Sequence, residues 1–357
     1  MSLTSIATGV LAAISAVLLV ACGGGGTQVI TPPPAQAAVL YAGDHFNAAL
    51  ASSAGDTCGR IWDAARSREV TVQIRVPQAS STRRPIIVFS HGGGPRDPCS
   101  FGNPEWGRSL SEAGYVVIHI AHSLTSFQKD QACSAIGVSD CSVEQAMQYH
   151  RPVDVQSVLA AIPTLVQSFQ IAAIADTSRI ALAGHSFGAF TVMAVAGARH
   201  DLGTLRDVDR SVGGVRSVLA LSPQGPGRFG FYDRGISGGN SWDAIGIPVM
   251  TQTGAADVTN GEDAQSRRVP FTLMPPPDKA ELFINDSHAQ HETFNLNDSN
   301  APALLLDTIR STGIAYFDAT LQERPAAWEY LRSDNIARVS NGIATLSRRE
   351  LVAPAGQ

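Results

Sequence analysis

Arg179-Ile180-Ala181-Leu182-Ala183-Gly184-His185-Ser186-Phe187-Gly188 is the stretch on which the reading of this chain turns. A short aliphatic run leads into Gly-His-Ser-Phe-Gly, and residues 187–198 continue as a helical run of small residues. A serine at such a strand-to-helix turn is pushed clear of the sheet in a strained backbone conformation. Small residues two before and two after it are needed, because neighbouring backbone comes too close for a side chain. The helix that follows points its N-terminus, with its partial positive charge, at the serine. Ser186 is therefore the candidate nucleophile. The plainer alternative is a glycine-rich turn with a structural serine.

Outward from this turn, short β-branched runs alternate with longer helical patterns. Residues 70–76 alternate apolar and polar, as a half-exposed strand does. Residues 85–90 and 115–120 are solid apolar runs of the kind found in buried parallel strands. Further strands are expected at 179–183, 215–221, 247–251 and 279–284. Helices are expected at 103–113, 153–166, 187–198, 303–322 and 326–332. Asp154 falls in the first turn of the second, where the helix dipole favours an acid. Such alternation implies a mostly parallel sheet covered on both faces. One domain spanning 45–350 accommodates it.

A serine alone is a poor nucleophile; it needs a base, an orienting acid and donors for the oxyanion. Phe89-Ser90-His91-Gly92-Gly93-Gly94 follows a strand, and its glycines let backbone N–H groups face a developing oxyanion. The backbone N–H groups of Gly93 and Phe187 are the expected donors, with Gly94 the alternative to Gly93. His91 reads as a structural hydrogen-bonder in that loop. The acid and base should follow the serine in the order Asp, His. Asp257 follows the strand at 247–251. Asp233 and Asp243 fit less well, because they precede that strand. Only His288 and His291 lie beyond Asp257 among the nine histidines. His288 is the expected base and His291 the rival. Asp286, His288 and His291 also suggest a metal cluster, but no HExxH or cysteine-ligand pair accompanies them. Neither a metal nor a cofactor is expected.

These residues resemble the α/β-hydrolase superfamily. More narrowly, Phe89-Ser90-His91-Gly92 with Gly184-His185-Ser186-Phe187-Gly188 is similar to the platelet-activating-factor acetylhydrolase and predicted dienelactone hydrolase group, with the chlorophyllases nearby. Arg151-Pro152-Val153-Asp154 resembles the stretch that opens a helix before the elbow strand in that group. The likeness covers roughly residues 65–295. It implies the α/β-hydrolase fold and ester hydrolysis through an acyl-enzyme formed by Ser186, His288 and Asp257. Two departures stand out. The acetylhydrolases carry their acid just after the strand that follows the elbow, where Leu221-Ser222-Pro223 has none. Dienelactone hydrolases proper use a cysteine nucleophile, which Ser186 replaces.

The chain has 357 residues, a net charge of -5 and 16% charged residues. That length excludes a small disulfide-stapled module. Mild acidity, with Lys129 and Lys279 the only lysines, argues against a nucleic-acid partner. One apolar run, residues 6–21, has the length of a signal-peptide core, although no Lys or Arg precedes it. Leu19-Val20-Ala21-Cys22 resembles a bacterial lipobox, in which the cysteine carries a lipid. The expected organisation is a signal peptide at 1–21, a Gly/Pro-rich tether at 22–44 and a domain at 45–357. A lipid anchor at Cys22 would then be the membrane contact. Cys58, Cys99, Cys133 and Cys141 remain, an even number that suits two disulfides in an oxidising compartment. Of three pairings, Cys58–Cys99 with Cys133–Cys141 is favoured, since 133 and 141 close a short loop.

Residues 123–149 and 223–245 read as insertions near the site. The second carries Phe229, Phe231 and Tyr232, followed by Trp242. These are candidates for an acyl or aryl pocket, weighed equally against an ordinary surface loop. The expected substrate is a small, lipid or polyester ester. An amidase or peptidase on the same triad, and a non-catalytic surface lipoprotein, are the competing readings.

Overall fold

The computed structural model describes residues 38–349 apart from Ala54, Ala79 and Asn260. The expected signal peptide, Cys22 and the tether as far as residue 37 lie outside the described residues.

In chain order, β1 (Ala48–Leu50), β2 (Cys58–Asp63), β3 (Arg68–Pro77) and β4 (Arg84–Ser90) lead to α1 (Pro104–Glu112) and β5 (Val116–Ala121). Next come α2 (Ser126–Ala135), α3 (Val143–Ser168), β6 (Ala175–His185) and α4 (Phe187–Val195). A hairpin of β7 (His200–Leu202) and β8 (Leu205–Val208) precedes β9 (Val215–Leu221) and β10 (Val249–Gly254). The chain closes with α5 (Val269–Leu273), β11 (Lys279–Ile284), α6 (Ala303–Leu321), α7 (Pro325–Arg332), α8 (Asn335–Val339) and β12 (Ala344–Arg349).

One sheet runs β1-β3-β5-β4-β6-β9-β10-β11-β12, and β2 also pairs with β3. From β5 to β11 the pairings are parallel; β3 and β12 run antiparallel at the two sides. Alternate residues feed two cores, as the two-residue period of a strand requires. Ile86 and Val88 join the cluster built with α3 and α4, while Ile87 and Phe89 join the one built with α1, α6 and α7. Burial on both faces explains why these strands are continuous apolar runs. β5 lies on one side of β4 and β6 on the other, so the chain reverses its direction of travel there. Open α/β sheets form their ligand crevice at the carboxyl ends of strands beside such a switch.

Three expectations need correction. First, α3 begins at Val143, ten residues early, and the stretch 123–149 is largely helical. Thr125 and Ser142 each cap a helix through a reciprocal pair with Gln128 and Gln145. Asp154 is thus mid-helix, and ion pairs rather than a helix terminus satisfy it. Second, the tether ends before residue 44. Tyr41 donates to Asp318 Oδ2 at 2.7 Å, and Asp44 pairs with Arg324 and Arg84. Third, β3 is not a half-exposed strand: Glu69, Gln73 and Arg75 are half-buried, its other residues are buried, and β1 and β2 cover its far edge.

The disulfides are Cys58–Cys99 and Cys133–Cys141, as favoured from spacing. They suit an exported protein. Among the described residues, no helix is long and apolar enough to cross a membrane.

Candidate active site

Ser186 joins β6 to α4 with φ 54° and ψ −121°, a sparsely populated backbone conformation for a side-chain-bearing residue. Its N–H donates to Leu221 O at 2.9 Å, which ties the turn to β9. The flanking glycines are dictated by close approach. A Cβ on Gly188 would lie 1.9 Å from Ser90 O, and one on Gly184 would lie 2.3 Å from Gly188 O. Phe187 opens α4, so its N–H has no partner within the helix.

The histidine that meets Asp257 is His291, not His288. His291 Nδ1 lies 2.9 Å from Asp257 Oδ1. The cause is a bridge between Ala256 and Gln290, which sets the next residue of each segment side by side. His288 is turned outward instead. Asp286 Oδ1 accepts from its backbone N–H at 2.7 Å and lies 2.9 Å from its Nδ1, and half of its side chain is exposed. Asp286, His288 and His291 therefore split between two partners and form no cluster.

Asp257 is fully buried, with Thr253 Oγ1 donating to its Oδ2 at 2.8 Å. Arg267 Nε stands 3.0 Å from both Oδ1 and the backbone oxygen of Asp257. Burial pushes this carboxyl up. The hydrogen bond from His291 and the charge of Arg267 outweigh that and hold it below the usual carboxylate range. Arg267 also donates to the carbonyls of Ser222 and Pro223, joining the loops after β9 and β10.

Ser186 and His291 line one cleft of about 450 Å³ together with Gly92, Gly93 and Asn103. No direct hydrogen bond joins the two among the described residues. Such contacts are commonly long in ligand-free sites and shorten around substrate. His185 backs the arrangement, with Nε2 3.0 Å from His291 O and the two rings 4.7 Å apart. Burial, then the neighbouring His291, pushes His185 down to about 4, so it is a neutral donor to that carbonyl.

The glycine loop after β4 is held by a buried polar network. His91 Nδ1 lies 2.8 Å from Gly92 O, and His91 Nε2 accepts from the His122 N–H at 3.2 Å. A trans peptide whose carbonyl is held this way turns the N–H of Gly93 to the opposite side. Gly93 itself has φ +73° and lines the cleft; Gly94 does not. Arg151 donates to Gly93 O at 2.8 Å, also bonds His91 O, and lies 4.6 Å over the Phe187 ring. Asp154 takes Arg68 at 2.7 and 2.8 Å, Arg66 at 2.8 Å and His122 Nδ1 at 2.9 Å. Burial, then the charge of Arg151, pushes His122 down to about 3. Arg151 was visible only as part of a motif, and Arg267, His185 and His122 carried no sequence signal of their own.

None of Phe229, Phe231, Tyr232 and Trp242 lines the cleft that holds Ser186. Phe231 and Trp242 are packed in the core beneath α4, against each other and Phe190. Tyr232 bonds Asp207 at the surface. Phe229 stacks on Phe187 at 4.2 Å, so it supports the site without lining the cleft. Glycines at 225, 227 and 230 let the loop fold inward, where its aromatics gain more from burial than from exposure.

No protein-family model matches the chain, and no curated protein matches it.

Proposed function

We propose that this chain is a serine hydrolase of carboxylic esters, built on the α/β-hydrolase plan. The observation that carries the reading is the strained Ser186 at the β6–α4 turn, sharing a cleft with a histidine whose other nitrogen is held by a buried carboxylate. The strand order around β4 and the chain order Ser, Asp, His support it. In this reading Ser186 Oγ attacks the ester carbonyl and His291 Nε2 takes its proton. Asp257 orients His291 and stabilises its cation. The N–H groups of Gly93 and Phe187 receive the oxyanion, and His291 returns its proton to the leaving alcohol. Water then repeats the sequence on the acyl-enzyme.

Two disulfides and the lipobox-like Cys22 support export with a lipid anchor as part of the same proposal. The test is hydrolysis of p-nitrophenyl esters by the wild type and by Ser186→Ala. Loss of at least about 10³-fold in kcat/KM is expected for removal of the nucleophile. Equal turnover by the two folded proteins contradicts the reading. Turnover of matched anilides at comparable rates would favour an amidase.

A further inference from the structure

This inference rests on the ester-hydrolase reading and concerns the class of ester. The side chains that line the cleft are mostly polar. Its side chains include Arg96, Asn103, Asn295, Asn297 and Glu292, and Pro104 is the single apolar one. Among the described residues that line this cleft, no aliphatic or aromatic side chain offers a wall for a long acyl chain, whose binding needs buried apolar surface.

Asn103 is the informative residue. It is 4% exposed, sits in the left-handed region at φ 59°, and precedes α1 without capping it through its side chain. Its Nδ2 is buried without a hydrogen-bond partner. A buried donor left unpaired bears the full desolvation penalty of the group, so one that borders a cleft calls for a partner there. Arg96 stands beside it. Its Nη2 lies 4.0 Å from where a Cβ on Gly93 would be and 3.8 Å from one on Gly102. Its guanidinium makes no hydrogen bond or ion pair among the described residues.

The two ends of the cleft differ. The leaving alcohol must lie by His291, which protonates it. Glu292 is on that side, where the cleft adjoins a second depression lined by Val258 and Asp298. The Arg96–Gly102–Asn103 side is left for the acyl half.

We propose that this acyl subsite takes a short chain ending in a carboxylate, so that the substrate is a half-ester of a small dicarboxylic acid. Arg96 pairs with the terminal carboxylate and Asn103 Nδ2 donates to it. Hydrolysis breaks the acyl C–O bond, water supplies the new C–O bond, and the products are the dicarboxylate, the alcohol and a proton.

The experiment compares monomethyl succinate with methyl valerate, followed by base uptake at constant pH, using the full chain, Arg96→Gln and Asn103→Asp. The wild type is expected to favour the half-ester by at least about 10-fold in kcat/KM, the scale of one charge-assisted hydrogen bond. Each variant is expected to lower that ratio by about 10-fold or more. Asp tolerates the left-handed backbone, which keeps Asn103→Asp foldable. A preference for methyl valerate, or an unchanged ratio in both variants, overturns the subsite. If p-nitrophenyl acetate is hydrolysed but neither methyl ester is, the subsite falls and the hydrolase reading stands. If folded protein turns over none of the three, the hydrolase reading falls with it.

Discussion

His291 Nδ1 lies 2.9 Å from Asp257 Oδ1 because one bridge, between Ala256 and Gln290, joins the loops that follow β10 and β11. The pairing holds the His291 ring by Nδ1, while Nε2 makes no hydrogen bond among the described residues and the residue lines the cleft. His288 is three residues away and is committed to Asp286.

Arg151 holds the glycine loop after β4 through the carbonyls of His91 and Gly93, and in the proposed mechanism it positions the oxyanion donors. Arg151→Met should lower kcat on p-nitrophenyl acetate by roughly 10²-fold, as expected when one oxyanion donor is misplaced, with a smaller change in KM. Arg151→Lys should recover part of it. A change confined to KM would show that the residue does not position the loop.

Gly188→Ala should destabilise the fold by more than about 3 kcal/mol, since the new Cβ would overlap the carbonyl of Ser90 and neither backbone can move away. Gly246→Ala meets nothing within 4 Å and should stay within about 1 kcal/mol of wild type. Urea unfolding of the two variants measures both.

Burial is the first cause that pushes down six histidines: His91 well below its usual value, His119 and His122 to about 3, and His150, His185 and His200 to about 4. The unfolded chain protonates them near 6.5. Below that pH the unfolded state binds more protons than the folded one. The stability they contribute is therefore complete above pH 6.5 and drains away as pH falls toward 4. Each costs up to about 1.4 kcal/mol per pH unit in that window. Urea midpoints should decline from pH 7.5 to 5, with proton uptake on unfolding. A flat profile would contradict the buried neutral assignment.

The two disulfides close loops of different size, with sequence separations of 41 and 8. In the chain-entropy account these are worth about 4 and about 2.5 kcal/mol. Cys58→Ser with Cys99→Ser should thus lower stability more than Cys133→Ser with Cys141→Ser. The reverse order in denaturant titrations would mean that residual unfolded structure or native packing dominates.

Much of this was legible in the sequence. β9 and β11 were read to the residue: Arg216 and Ser217 interrupt the first and Lys279 and Glu281 the second, but the buried apolar residues after them marked both strands. The elbow was legible because Gly184 and Gly188 are steric requirements that leave a spaced signature. α2 and the first turns of α3 were missed because their apolar residues are sparse, although Thr125-x-x-Gln128 and Ser142-x-x-Gln145 marked both starts. β12, half polar at its edge, left no clear pattern. The choice between His288 and His291 was not readable, since a bridge between segments more than thirty residues apart decides it. Buried Arg151 and Arg267 look like surface charges until the carbonyls they hold are seen. Phe231 and Trp242 looked like a pocket because aromatic content does not say which way a loop folds.

The most direct test of the account is the rate and site of labelling by a fluorophosphonate, which needs an activated serine. Wild type and His288→Ala should label at similar rates, and peptide mapping should place the adduct on Ser186. His291→Ala should label at least about 10³-fold more slowly, since the serine loses its base. Labelling that survives in His291→Ala and disappears in His288→Ala, or an adduct on another residue, would contradict it.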